Sequence, residues 1–265
     1  MFPRLIDFGN YGLPTYGVLA ATGLLVGLMI NVRLARRDGI NPDLAWNMGI
    51  VAILAAIAGA KLLFLAGDWR YYLERPRQIL TLSTLQTGGV WQGGLIAGLI
   101  AAAWYMRKHK MPALRTADAF APGIALGHAF GRLGCFAAGC CYGKPTDLPW
   151  GVTFTHPLAN ALVGTPLDVP LHPTQIYEFL LEVAIFAVLM WRLKRRRIEG
   201  EVMGAYLFLY GFGRYFLEFF RDDPGRGEFF NGAMSGTQIL SILLVIAGGV
   251  MWMRREHGSA TAASE

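Results

Sequence analysis

Two arginines stand where charge is expensive. Arg132 lies in the run His128-Ala-Phe-Gly-Arg132-Leu-Gly-Cys135, and Arg214 in Tyr210-Gly-Phe-Gly-Arg214-Tyr-Phe-Leu-Glu218. Both surroundings read as membrane-spanning helices. A charge at bilayer depth costs at least about 2.5 kcal/mol, so it normally faces a cavity, a partner or an anionic ligand. A guanidinium keeps its charge at any working pH and offers a fork of donors matched to phosphate oxygens. The pair therefore marks a pocket for a lipid phosphate.

Helical spacing sorts the neighbours. At roughly 100° per residue, His128, Arg132, Cys135 and Gly139 share one stripe, and Tyr210, Arg214, Glu218 and Arg221 share another. Two such stripes facing each other make a polar cleft. The purely structural alternative for Arg214 is an i,i+4 ion pair with Glu218; Arg132 has no local acid. Tyr16 is either an interfacial anchor or a pocket residue, and Lys61 either snorkels outward or lines the pocket. The run His172-Pro-Thr-Gln175-Ile-Tyr177-Glu178 opens a helix. Its polar residues either cap that helix or place Gln175 and Glu178 at the cleft mouth. Cys135, Cys140 and Cys141 match no common zinc spacing. They are expected to behave as small hydrophobes, with no metal bound and a catalytic thiol as the alternative.

These residues need apolar elements to hold them. The chain of 265 residues is 54% apolar and 16% charged, against about 25% charged for a soluble domain. Five apolar runs, near 14–32, 44–66, 88–106, 173–191 and 235–253, have the roughly 20 residues that cross a ~30 Å hydrocarbon layer. Two more, near 117–138 and 203–221, are interrupted by glycine and by the polar stripes. The expected fold is an all-α integral membrane protein of seven transmembrane helices, with a small outward-facing head and arm segments. The first run lacks a basic N-terminal flank and a cleavage site, so it reads as a retained span. Of the 33 glycines, those inside spans allow close helix approach.

Basic residues set the orientation. Arg33, Arg36 and Arg37 follow the first span; Arg107, Lys108, Lys110 and Arg115 the third; Arg192 and Lys194 to Arg197 the fifth; Arg254 and Arg255 the last. By the positive-inside rule these loops are cytoplasmic and the N-terminus faces outward. The net charge of +6 is accounted for by this topology and implies no nucleic-acid partner. A single polytopic domain spans 1–255, with the outer head at about 144–172 and a disordered cytoplasmic tail at 256–265. Trp69, Tyr71 and Tyr72 suit a headgroup boundary.

The chain resembles the bacterial prolipoprotein diacylglyceryl transferase family over nearly its whole length. The resemblance rests on Tyr16-Gly17, on Gly93-Gly94-Leu95-Ile96, on Gly131-Arg132-Leu-Gly134 with Phe136 and Gly143, on the His172 to Glu178 run, and on Tyr210-Gly-x-x-Arg214-x-x-x-Glu218-Phe-x-Arg221. It implies a multi-pass enzyme of the bacterial inner membrane, without cofactor. Such an enzyme moves the diacylglyceryl group of phosphatidylglycerol to the lipobox cysteine thiol of a preprolipoprotein signal peptide, leaving glycerol phosphate. The partners implied are phosphatidylglycerol, that signal peptide and membrane lipids.

By the resemblance, Arg132 binds the lipid phosphate and Arg214 stabilises the departing one. Tyr16, Gln92, Cys135, Gly143 and Tyr210 contact substrate. The chain departs from the family pattern at Gln92, where histidine is usual, and at Cys135 and Cys140, where asparagine and glutamate are usual. Glutamine is no base, so the thiol proton falls to His128 or Glu218. The alternatives are a phospholipid-dependent transferase with another acceptor, and a non-enzymatic lipid-binding protein.

Overall fold

The computed structural model describes residues 2–8, 11–81, 84, 89–222, 228–229 and 234–261. A short antiparallel hairpin, β1 (Arg4–Phe8) and β2 (Tyr11–Pro14), leads into α1 (Thr15–Arg37). Then come α2 (Pro42–Gly67), the short α3 (Trp69–Glu74), α4 (Trp91–Lys108) and α5 (Ala113–Ala138). The segment after α5 holds β3 (Val152–Thr153), α6 (Pro157–Val163) and β4 (Pro170–Leu171). The chain finishes with α7 (Thr174–Leu193), α8 (Glu201–Leu217), the strand pair β5 (Glu228–Phe229) and β6 (Met234–Ser235), and α9 (Gly236–Thr261).

All seven expected apolar runs are helical. The expectation of an all-α chain needs adjusting for three two-stranded ribbons among the described residues. By length and hydropathy, α1 and α2 suffice to cross a membrane, and Gly236–Met251 is a shorter apolar stretch. Large apolar side chains stay open on many helices, including Leu54, Ile57 and Leu62 on α2, Leu99 and Ile100 on α4, and Phe212 and Phe216 on α8. Such surface suits contact with lipid.

The contacts divide the chain into two compact units, Met1–Leu34 with Ala117–Glu265, and Ala35–Thr116. In the smaller unit, Asn41 starts α2 by accepting from Asp43 N at 2.8 Å and Leu44 N at 3.4 Å. Pro42 and Asp43 suit the first turn. There α2 packs on α4, and a Cβ added at Gly93 would sit 2.7 Å from Leu63 Cβ. Lys61 Nζ donates to Thr84 O and lies 5.2 Å from the centre of the Phe64 ring.

In the larger unit, small residues bring α5, α7 and α8 together around Ala121, Ala125, Ile185, Leu189, Val202, Ala205 and Tyr206. Helix α1 lies so close to α5 that a Cβ at Gly23 would meet Phe130 Cβ at 2.6 Å and Gly127 O at 2.7 Å. Asp118, fully buried on α5, holds the start of α8. It accepts from Gly200 N at 2.8 Å and from Val202 N and Met203 N at 2.9 Å, with Arg196 Nη1 at 3.4 Å. A carboxylate there satisfies amides that a helix start leaves unpaired. Segment 144–172 is folded on a small core of Tyr142, Phe154 and Leu171. Helix α9 continues to Thr261, past residue 256 where the sequence leads to a tail; residues 262–265 lie outside the described residues.

Candidate active site

The two arginines of the sequence meet at one carboxylate. Glu178 Oε1 lies 2.8 Å from Arg132 Nη2 and 3.6 Å from Arg214 Nε. Tyr210 Oη donates to the same oxygen at 3.4 Å. Glu178 is buried in the first turns of α7, and Thr174 and Gln175 bond elsewhere, so capping is not its task. Arg132, with no acid within a turn or two on its own helix, finds one on α7. A buried ion needs such a partner, because desolvation costs several kcal/mol per charge.

Each arginine has a second contact. Arg214 Nη1 pairs with Glu218 Oε2 at 2.8 Å, and Glu218 accepts from Ser235 Oγ at 2.6 Å. Arg132 Nε donates to His128 Nε2 at 3.2 Å. The other ring nitrogen, Nδ1, lies 2.6 Å from Glu182 Oε1. With Nε2 accepting, the proton sits on Nδ1, the ring nitrogen beside Glu182. The ring also stands edge-on to Tyr210 at 5.3 Å. Exposure separates the groups: His128 keeps 26% of its side-chain surface and Arg132 15%, against 5% for Arg214 and 3% for Glu218. His128 and Arg132 are the ones an incoming ligand can reach.

A tight turn follows α5. Gly139 (φ 87°) and Cys141 (φ 62°) both adopt the left-handed conformation, which is uncommon for a residue with a Cβ. The turn is pinned from α7 by Gln175 Nε2 donating to Cys140 O and Thr174 Oγ1 to Cys141 O, each at 2.7 Å. Thr165 Oγ1 donates to Gly139 O at 3.0 Å. The three thiols, clustered in the sequence and expected to act as small hydrophobes, converge here, their Sγ atoms all within 4.8 Å of one another. The thiol of Cys141 is drawn below the usual thiol range, first by hydrogen bonds from Cys135 and Cys140, then by the charges of Arg221 and Arg132.

Gly143 sits in a slot. Its amide donates to His172 O at 3.0 Å, it bridges Arg221 in antiparallel fashion, and Lys144 N donates to Phe220 O at 2.8 Å. A Cβ at Gly143 would meet His172 Cβ and O at 2.6 Å and Phe220 O at 2.7 Å. Tyr16, at the start of α1, lies against Gly134, where an added Cβ would be 3.0 Å from its ring. Gln92 belongs to the smaller unit, exposed in the first turn of α4.

His128, Arg132, Tyr210, Arg214 and Glu218 thus form one set, joined by ion pairs and hydrogen bonds through Glu178. Glu182 and Ser235 were not foreseen, and Glu178 was foreseen only at the mouth. The usable signal was Glu178 and Glu182 at i,i+4 within an apolar helix, which puts two carboxylates on one face.

Residues 3–254 match the prolipoprotein diacylglyceryl transferase family. The phosphatidylglycerol–prolipoprotein diacylglyceryl transferase of Clostridium tetani (strain Massachusetts / E88) is 36% identical over 249 residues, 94% of this chain and 95% of that one. The protein of Clostridium perfringens (strain 13 / Type A) bearing that name with the number 2 is 33% identical over 238 residues, 90% and 89% of the two chains. The Vibrio atlanticus (strain LGP32) protein of the same name is 33% identical over 258 residues, 94% and 89%.

Proposed function

Because the chain belongs to the prolipoprotein diacylglyceryl transferase family, we propose that it transfers the diacylglyceryl group of phosphatidylglycerol to a lipobox cysteine of preprolipoproteins. The observation that carries this reading is the reachable guanidinium of Arg132, held beside His128 within the buried network of Glu178 and Arg214. A lipid phosphate needs a cation of that kind, and a thiol needs a proton acceptor next to it.

The step is a displacement at the glycerol carbon. The cysteine sulfur forms the new C–S bond, and the C–O bond to phosphate breaks. Glycerol phosphate leaves with the electron pair, and the product is a thioether. Arg132 binds the phosphate through two N–H donors, and Arg214, behind Glu178, adds positive potential as charge builds on the leaving group. His128 accepts the thiol proton at Nε2, with Glu182 fixing the ring through Nδ1–H. Of the two candidate bases, His128 is favoured over Glu218, which is buried and bonded to both Arg214 and Ser235. Phosphate binding draws the Arg132 fork away from the imidazole and leaves Nε2 free.

In the same reading, all seven long helices span the bacterial inner membrane, with the N-terminus and segment 144–172 outward and the C-terminus cytoplasmic. The basic loops support it. Purified protein in phosphatidylglycerol vesicles with a lipobox peptide should yield a peptide carrying one diacylglyceryl mass. A cysteine-to-serine peptide should not. An unmodified peptide, with folded protein and both substrates present, would refute the assignment.

A further inference from the structure

The turn after α5 gathers every cysteine of the chain into one cluster. Cys135 is buried, Cys140 and Cys141 are partly exposed, and the Sγ atoms all lie within 4.8 Å of one another. In a metal site with sulfur at about 2.3 Å, three thiolates stand roughly 4 Å apart. The cluster therefore needs sulfur shifts of about 1 Å at most to close on an ion.

The backbone holds it in that shape. Gly139 and Cys141 are both left-handed, which folds the chain back over the end of α5. The carbonyls of Gly139, Cys140 and Cys141 are each fixed by a side chain from a neighbouring segment, so the turn is built before any ligand arrives. A positive φ at a cysteine is a cost that surrounding structure must hold in place. Gln175 Oε1, buried at this turn, has no hydrogen-bond donor among the described residues.

We propose that Cys135, Cys140 and Cys141 form a three-thiolate site for one thiophilic d10 cation, of which Zn(II) is the reference case. Soft thiolate ligands select such ions over Mg(II) or Ca(II). Each thiol releases its proton as its metal–sulfur bond forms. Three thiolates and a divalent ion carry one net negative charge, which the neighbouring Arg221 and Arg132 offset. Three protein ligands leave a tetrahedral ion one open position for water or another sulfur.

The test needs no transferase activity. Purified full-length protein is titrated with Cd(II), whose thiolate bonds give an ultraviolet charge-transfer band, and the Zn(II)-loaded protein is measured by X-ray absorption. One ion per chain is expected, with three sulfurs at about 2.3 Å from zinc. Cys135→Ser, Cys140→Ser and Cys141→Ser should each weaken binding by about 100-fold or more, since even outer-shell changes cost 10–100-fold. No thiolate band, a shell of nitrogen and oxygen alone, or wild-type affinity in folded serine variants would overturn the site. Where a serine variant does not fold, X-ray absorption on the unmodified chain decides.

Discussion

His128 and Glu182 are joined through Nδ1 and Oε1 at 2.6 Å. That contact fixes which imidazole nitrogen carries the proton and aims the other at Arg132. His128→Ala should lower kcat by about 100-fold or more, the usual contribution of a positioned base. Glu182→Leu should lower kcat less, with KM for phosphatidylglycerol little changed. Glu182→Gln still accepts from Nδ1–H and should recover part of the loss. Steady-state kinetics at matched folded protein measures this, and equal rates for all three variants and wild type would remove the pair from the mechanism.

Arg132 is the reachable cation of the pair. Arg132→Lys should lose most activity, because an ammonium does not reproduce a bidentate phosphate contact. Arg132→Ala should lose more. Turnover of folded Arg132→Ala near wild type would make the residue purely structural.

Glu178 serves both arginines, so its loss is a stability matter as well. Glu178→Ala leaves buried positive charge short of a partner, which typically costs about 3–5 kcal/mol. A clear drop in thermal midpoint in detergent is expected. Glu178→Gln, which retains an acceptor oxygen, should fall between. An unchanged midpoint for the alanine variant would mean that the arginines are compensated elsewhere.

Gly143 has no room for a side chain. Gly143→Ala drives a methyl against His172 and Phe220 backbone, so the turn must open. Folded yield and transfer activity should both fall, while Gly164→Ala, whose added Cβ meets nothing within 4 Å, should be limited to the cost of its left-handed backbone, about 1 kcal/mol. Comparable behaviour of the two variants would contradict the crowding.

Orientation is testable in cells. Single cysteines in a cysteine-free background at positions 36, 110 and 195 should resist a membrane-impermeant thiol reagent in intact cells, and those at 75, 155 and 228 should react. Labelling at 195 would reverse the topology.

Much of the frame is readable from composition. Seven apolar runs became seven helices because backbone polar groups in such runs are satisfied within the helix itself. The arginines pointed to the candidate site, since a lone charge in an apolar run needs an explanation. What escaped was set by tertiary placement. Glu178 looked like a helix-start residue because its sequence neighbours, Pro173 and Thr174, suit a helix start; burial against two other helices gave it another task. Asp118 drew no notice in the sequence, because its three amide donors lie more than 80 residues away along the chain. The thiol cluster depends on left-handed backbone at Cys141, a conformation no spacing rule assigns to cysteine.

Asp118 has a mechanical consequence. It clasps α5 to α8 near the first turn of both helices, and from that clasp both run toward the arginines in the same direction. At 1.5 Å per residue, Arg132 and Arg214 lie roughly 20 Å further on. The two helices act as the arms of tongs joined at one end, with the guanidinium groups near the tips and Glu178 between them. Loosening the joint by a small angle moves the tips by an ångström or so, as much as separates a good phosphate contact from a poor one. In the proposed reaction, a residue remote from the reacting atoms, and touching none of them, would thereby set the gap in which they meet.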